Sequence, residues 1–370
     1  MTAPAAKQLL MIGAALELPG GVNAVVKLYE EQGLLARWRV RYLVSYRGKA
    51  LPVQLQTMAT ALVVLAGLLV TRQVALVHVH SASRGSFWRK SLFCGLAWLF
   101  RTPYVFHLHS GEFPVFYRDE CGALAQRWVR WVLRHAVRVG VLTPTWQPLV
   151  GAIEPRAVVH VVPNPVALPL RCRPQAAQVQ RILFLGRLRE KKGVFDLLEA
   201  MPAVLAAYPA IRLCLAGDGE LEAVRQRAAL LGVGHAVELP GWIDGERKRA
   251  ELDAADILVL PSHFEGLPVC VLEAMAAGVP VVATPVGGVG FALDEGRCGV
   301  LTPVAAPAEL AGAMVALLGD AERRRDIAAA ARLRAERLFS SQSVALEVER
   351  LWSDCLANPR GGGRRELEQS

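Results

Sequence analysis

Several common signatures are missing from these 370 residues. No Asp-x-Asp occurs anywhere, so nothing in the chain points to a metal ion and none is expected. The seven cysteines, Cys94, Cys121, Cys172, Cys214, Cys270, Cys298 and Cys355, are odd in number and form no C-x-x-C. That excludes a disulfide framework and a zinc site, and reads as reduced thiols in a cytosolic protein. The full G-x-G-x-x-G is absent, and no acid ends the second strand near Tyr42 to Tyr46. Both absences count against a nicotinamide oxidoreductase. Met1 to Met11 lacks the basic start and unbroken apolar stretch of a signal peptide. Leu55 to Val70 is strongly apolar, but Gln56, Thr57 and Thr60 break it short of the roughly 20 residues a membrane span needs. It is expected to be a buried crossover helix.

Apolar residues make up 53% of the chain and charged ones 20%, with 32 glycines and 22 prolines. This suits a soluble α/β protein long enough for two domains. The net charge of +9 is lopsided. Residues 1–168 hold 18 Lys or Arg against 7 Asp or Glu, or +11, and the rest hold 24 against 26, or −2. The excess gathers between Arg84 and Arg138, a face for nucleic acid, anionic lipid or a phosphorylated acceptor. No nucleic-acid recognition module is present. Ser86 to Phe100 and Arg127 to Arg138 mix tryptophans with Arg89, Lys90, Arg130 and Arg134. Such residues suit a membrane interface, or a core from which the cations snorkel. The sequence leaves both open.

Short β-branched runs ending in glycine-bearing turns recur along the chain, with helical spacing between them. The first runs from Gln8 to Leu16 and leads through Gly20-Gly21 to a helix over about 22–36. Pro103 to His109 is another, with His109 at its carboxyl end, where α/β sites gather; His80, closing the strand before it, is the second candidate. In the second half, Ile182 to Leu185 is followed by Gly186, Arg187 and Lys192, two cations at a strand-to-helix turn that can neutralise a diphosphate. Ile211 to Ala216 leads to Gly217-Asp218-Gly219, and Val237 to Leu239 to Gly241-Trp242. Asp256 to Leu260 then precedes Glu265-Gly266-Leu267-Pro268, a helix carrying Glu273, and the strand Val281 to Ala283. Pro268 fits the first turn of that helix, and the Gly266 and Leu267 amides fit a phosphate at its N-terminus. Glu265 and Glu273 would be about 80° out of register on one helix, so both reach a ligand only if Glu265 is off it. A solvated pair of acids is the competing reading.

Glu265 and Glu273, with seven residues between them inside Phe264 to Thr284, resemble the E-x7-E signature of the GT-B retaining glycosyltransferases of family 4 (glycosyl transferases group 1). Arg187 and Lys192 match that family's G-R-x-x-x-x-K-G, and Val162-Pro163-Asn164-Pro165-Val166 its hinge, with Pro165 replacing glycine. The resemblance implies an α/β GT-B fold: two Rossmann-like domains face a cleft, residues 1–168 binding acceptor and 181–340 binding nucleotide sugar. A linker over 169–180, a helix over 341–358 crossing back to the first domain, and a disordered tail over 359–370 complete it. It further implies retaining, metal-independent hexosyl transfer. Arg187, Lys192, Glu265 and His109 would be catalytic. Gly20, Gly21, Gly186, Asp218, Gly219, Trp242, Gly266, Leu267, Pro268 and Glu273 would bind the donor. The donor would be a UDP-sugar, with GDP-mannose competing, and the acceptor lipid-linked or a polysaccharide, at the inner face of the cytoplasmic membrane. No cofactor, metal or nucleic-acid partner is implied. A non-catalytic nucleotide-sugar or anionic-lipid binding protein on the same scaffold is the alternative.

Overall fold

The computed structural model describes residues 7–18, 20–48, 50–169 and 179–359. The chain divides into two compact units, residues 1–165 with 341–370, and residues 166–340. The expected linker falls mostly outside the described residues, and the tail past Pro359 wholly so.

In unit 1, apolar strands alternate with helices, the pattern of a parallel sheet covered on both faces. β1 (Gln8–Gly13), β2 (Val40–Val44), β3 (Val74–Ser81), β4 (Tyr104–Leu108), β5 (Arg138–Val141) and β6 (Val159–Val161) form it. Their order is β2-β1-β3-β4-β5-β6, all parallel. The order reverses between β1 and β3, and ligands of such sheets bind outside the strand ends at that reversal. The intervening helices are α1 (Gly21–Glu31), α2 (Leu34–Arg37), α3 (Leu51–Val70), α4 (Gly85–Leu99), α5 (Phe113–Val115), α6 (Ala123–His135) and α7 (Trp146–Ile153). The single helix expected over 22–36 is two, because Gly33 adopts φ 67° and breaks it.

The expectation of a buried α3 is overturned. Only Ala61, Leu65, Leu68 and Leu69 are buried, whereas Leu51, Leu55, Val63 and Val70 are 62–72% exposed. A crossover helix lying on a sheet buries one stripe, and the opposite stripe of α3 is apolar as well. By length and composition α3 could cross a membrane, with a mean hydropathy of 1.9. Its ends, however, are tied to β2 and β3 of one sheet, so it runs along the surface of unit 1. The aromatic residues divide. Phe87 and Phe93 are core, Trp128 and Trp131 stack at 4.8 Å, and Trp88, Leu92 and Leu99 on α4 are exposed.

Unit 2 repeats the design. β7 (Arg181–Leu185), β8 (Arg212–Ala216), β9 (Val237–Gly241), β10 (Ile257–Leu260), β11 (Val281–Ala283) and β12 (Val300–Leu301) are ordered β12-β11-β10-β7-β8-β9, all parallel. The reversal lies between β10 and β7. The helices are α8 (Val194–Ala207), α9 (Leu221–Leu230), α10 (Gly245–Ala254), α11 (Val269–Ala277), α12 (Val289–Ala292), α13 (Pro307–Gly319) and α14 (Ala321–Arg334). Pro268 is the cap of α11, extended at ψ 121°, and not a residue of its first turn. Gly278 ends α11 in the left-handed region at φ 73°.

The last helix, α15 (Ser341–Ala357), returns to unit 1 and packs on β3 and α1. Glu349 pairs with Arg37 at 2.7 Å and Glu347 with His160 at 2.8 Å. Trp352 is fully buried.

Candidate functional site

The reversal point of unit 2 gathers most of the expected donor residues. After β7 the chain passes Gly186 and Arg187 and makes a 3-10 turn over Glu190–Lys192. Gly193 follows at φ 69°, where a Cβ would lie 1.9 Å from the Pro261 carbonyl oxygen. Only glycine lets the loops after β7 and β10 lie this close. Gly287 braces the same place from the other side, since a Cβ there would meet the Glu265 carbonyl oxygen at 2.0 Å.

Within that brace Lys192 Nζ donates to Glu265 Oε1 at 2.6 Å, and Ser262 Oγ donates to the same oxygen at 2.7 Å. The Glu265 side chain is 6% exposed and that of Lys192 25%. Glu265 therefore lies off α11, in the preceding loop, as its register required. Three donors sit on an ammonium, and Glu265 needs only one of them. Glu273, in the second turn of α11, pairs with Lys248 of α10. Burial raises its carboxyl above the ordinary value, against the pull of Lys248.

Arg187 is half-exposed and 3.5 Å from Asp218. Gly219 stands beside Leu188 in an isolated parallel bridge, so Gly186, Arg187, Asp218 and Gly219 share one edge. Trp242 follows β9 with 44% of its surface exposed. Gly266 and Leu267 precede the cap of α11, so their amides belong to the loop and not to the first turn of the helix. This corrects the placement expected from the sequence. The Gly266 carbonyl accepts from the Gly288 amide at 2.6 Å.

In unit 1, Gly20 caps α1 and Gly21 opens it. Asn23 fastens the loop before them, donating to the Ala15 and Leu18 carbonyls at 2.9 and 2.8 Å. His109 follows β4 and is bonded to His80, Nδ1 of His80 to Nε2 of His109 at 2.8 Å. Both expected histidines thus belong to one cluster. His78 and His107 complete it, because residues two apart on a strand share a face and His80 pairs with His107 in the β3–β4 register.

The bonds of this cluster fix its protons. The Trp352 indole N–H, which can only donate, reaches His78 Nδ1 at 3.0 Å. His78 therefore carries its proton on Nε2 and donates to His107 Nδ1 at 3.2 Å. His107 in turn donates from Nε2 to the Val162 carbonyl at 3.3 Å. Burial, with the neighbouring imidazoles adding to it, holds His78, His80 and His109 well below the ordinary histidine value. Burial takes His107 down to about 4, with the Val162 bond opposing. The donor atoms of His78, His80 and His107 lie within 4.8 Å of one another, close enough for a metal. Yet both His78 nitrogens are committed, one to Trp352 and one to His107, so no lone pair is left for an ion.

Sequence reasoning passed over Ser262, Lys248, His78 and His107. The two His-x-His runs were the available signal for the cluster. Lys248 sits in a helix so rich in charge that nothing singled it out.

Two family models match the chain, the glycosyl transferase 4-like domain over residues 19–165 and glycosyl transferases group 1 over residues 179–320. The chain belongs to the group 1 glycosyltransferases. Within that family it is similar to a glycogen synthase of Mycobacterium tuberculosis, 35% identical over 190 residues. It is also similar to a phosphatidyl-myo-inositol mannosyltransferase of Mycobacterium leprae, 33% identical over 233 residues. These stretches cover 51% and 58% of this chain, and 45% and 61% of the relatives, so less than two thirds of either. Among solved structures, sucrose-phosphate synthase from Thermosynechococcus elongatus superposes with a TM-score of 0.79 at 20% identity, over 95% of this chain and 99% of that one. HepE from Anabaena, in complex with UDP, gives 0.74 at 18%, over 94% and 100%. The fold is GT-B.

Proposed function

We propose that the chain is a retaining, metal-independent glycosyltransferase moving a hexose from a nucleoside diphosphate to a lipid-linked or polysaccharide acceptor. The observation that carries this reading is the Lys192–Glu265–Ser262 cluster at the reversal point of unit 2. It holds an ammonium and a carboxylate side by side where a nucleotide sugar would present its phosphate and its hydroxyls. Arg187 and Lys192 would take the diphosphate, Glu265 the hydroxyls of the donor sugar, and Glu273 those of the ribose.

In the reaction the bond from anomeric carbon to phosphate oxygen breaks, and its electron pair stays with the phosphate. The acceptor oxygen bonds the same face of the sugar, and its proton passes to the departing phosphate. Charge shed onto that phosphate is stabilised by Arg187 and Lys192, each worth roughly 2–4 kcal/mol at the transition state. His109, held by His80, would be catalytic in this reading. UDP-sugars come first because HepE was solved with UDP-glucose. GDP-mannose competes because one relative is named a mannosyltransferase.

The exposed apolar stripe of α3, with Arg72, Arg101, Arg127 and Arg130 exposed in the same unit, supports attachment to an anionic membrane from the cytoplasmic side. No nucleic acid enters this reading. A non-catalytic binding protein on the same scaffold would keep these surfaces and form no product.

The test is a thermal-shift panel of UDP- and GDP-sugars, since a donor bound to the folded state raises the melting temperature. Product analysis with and without a chelator follows. Activity abolished by chelator and restored by manganese would overturn the metal-independent mechanism, and no product with any donor would favour the binding protein.

A further inference from the structure

Lys90, in the second turn of α4, is 7% exposed. Its Nζ reaches back one turn to Ser86 Oγ at 3.3 Å. Arg89 folds the same way: a Cβ on Gly85 would meet its Nη1 at 3.2 Å. Its guanidinium lies over the Tyr46 ring at 4.8 Å, and its Nε is buried without a partner.

Two cations thus converge on the first turn of a fifteen-residue helix. The peptide dipoles already make that end positive, and no acid occupies the turn. Among the described residues neither Lys90 nor Arg89 forms an ion pair with a carboxylate. Glu112 and Glu120 both bond Arg84, the residue that caps the helix. Burial, with Arg89 beside it, brings the Lys90 ammonium down to about 7. A buried ammonium with no counter-charge is costly, and a fold that keeps one marks a site. The turn itself is open, since Gly85 is exposed and Ser86 half-buried. It stands at the carboxyl end of β3, beside the reversal point of the sheet, where Ser83 and Ser110 hydroxyls meet at 2.7 Å.

We propose that Lys90, Arg89, the Ser86 hydroxyl and the first turn of α4 form a phosphoryl-binding subsite for a phosphate carried by the acceptor. Two cations, a hydroxyl and helix-terminal amides match a tetrahedral anion with several charged oxygens. The word acceptor rests on the transferase reading above; the subsite itself does not.

The experiment uses the full chain with UDP saturating, so that the donor site of unit 2 does not report. Inorganic phosphate is titrated calorimetrically into wild type, Lys90→Met and Arg89→Gln. Flotation with phosphatidylglycerol vesicles, against phosphatidylcholine controls, forms the second arm. Phosphate binding should weaken at least tenfold in Lys90→Met and several-fold in Arg89→Gln, with UDP affinity unchanged. In phosphate-free buffer Lys90→Met should melt no lower than wild type, whereas a lysine serving only structure would melt lower when replaced. Lys90-dependent phosphate binding without vesicle capture supports the subsite and names a soluble phosphate monoester. Lys90-dependent capture of phosphatidylglycerol alone supports it and names a lipid phosphodiester. Binding equal in all three proteins, or no binding by wild type in either arm, overturns it. Failure of UDP to bind wild type, with phosphate binding still dependent on Lys90, sinks the donor reading and leaves the subsite standing.

Discussion

Beneath the carboxyl ends of β7 and β10, Lys192 is held by Glu265 at 2.6 Å, and the neighbouring Lys248 by Glu273. Beneath those of β3 and β4 lie four imidazoles and, beside them, a buried lysine and a half-buried arginine that meet no carboxylate among the described residues. The sheets share a topology and differ in what they do with charge. Unit 2 desolvates its ions in pairs, so a ligand meets groups already oriented and ionised. At these strand ends unit 1 buries neutral rings and leaves Lys90 and Arg89 unneutralised, so a ligand there must bring the missing charge. The first arrangement suits a leaving group whose charge grows during reaction, and the second a group whose charge is constant.

The largest effect expected from this contrast is catalytic. Lys192→Ala or Arg187→Ala should lower turnover by about 30-fold to 10³-fold, corresponding to roughly 2–4 kcal/mol. Lys192→Ala also strands Glu265 without its cation, so it should melt lower than Arg187→Ala, whose partner is exposed. Steady-state assays beside thermal melts separate the two consequences. Near-normal turnover in both variants would end the electrostatic account of unit 2.

Acid should break the comparison next. In unit 1 the four clustered histidines titrate below their unfolded value, so between about pH 6.5 and 4 the unfolded chain binds more protons and stability falls as pH falls. His107 alone, moved from 6.5 to about 4, is worth about 3 kcal/mol over that window. Glu273 in unit 2 acts in the opposite sense. Its raised carboxyl holds a proton in the folded state above the pH at which the unfolded chain takes one, so falling pH favours the fold there. Unit 1 should therefore open first on acidification, reported by Trp352 fluorescence and by loss of exchange protection on β3 and β4 before β7 and β10. Simultaneous loss across both sheets would show that the cluster does not set the acid limit.

A smaller change addresses the same cluster at its far end. Trp352→Phe keeps a ring in the core but removes the indole N–H that donates to His78 Nδ1. Leaving that nitrogen buried and unpaired should cost about 1–3 kcal/mol. His107 should respond too, since its tautomer depends on the proton His78 presents, and nitrogen chemical shifts of the two rings would report it.

The contrast also explains what could be read from the residues alone. The β-branched runs, the glycine turns and the spacing of Arg187, Lys192, Glu265 and Glu273 are local patterns, and the strands and loops they imply are present. Partnerships made across the sheet were hidden. Nothing near Glu265 in sequence says that Lys192, 73 positions away, will bond it, and nothing near His78 says that Trp352 will. The exposed side of α3 was misjudged for a related reason. Apolar composition states how much surface wants to leave water, not whether a partner for it exists within the same chain.

The smallest expected effect tests that last point. On α3, Leu65 is buried and Val63, two residues earlier, is 72% exposed. Leu65→Ala should cost about 2–5 kcal/mol through the cavity it leaves, whereas Val63→Ser should fall within about 0.5 kcal/mol of wild type, as surface changes do. If the outer stripe of α3 faces lipid, Val63→Ser combined with Leu55→Ser should leave the melting curve unmoved and reduce flotation with anionic vesicles. Removing two apolar side chains from an interfacial helix weakens membrane partition in proportion to the area no longer buried. Unchanged flotation would mean that the stripe is covered by something other than lipid, and that the basic residues of unit 1 serve the acceptor alone.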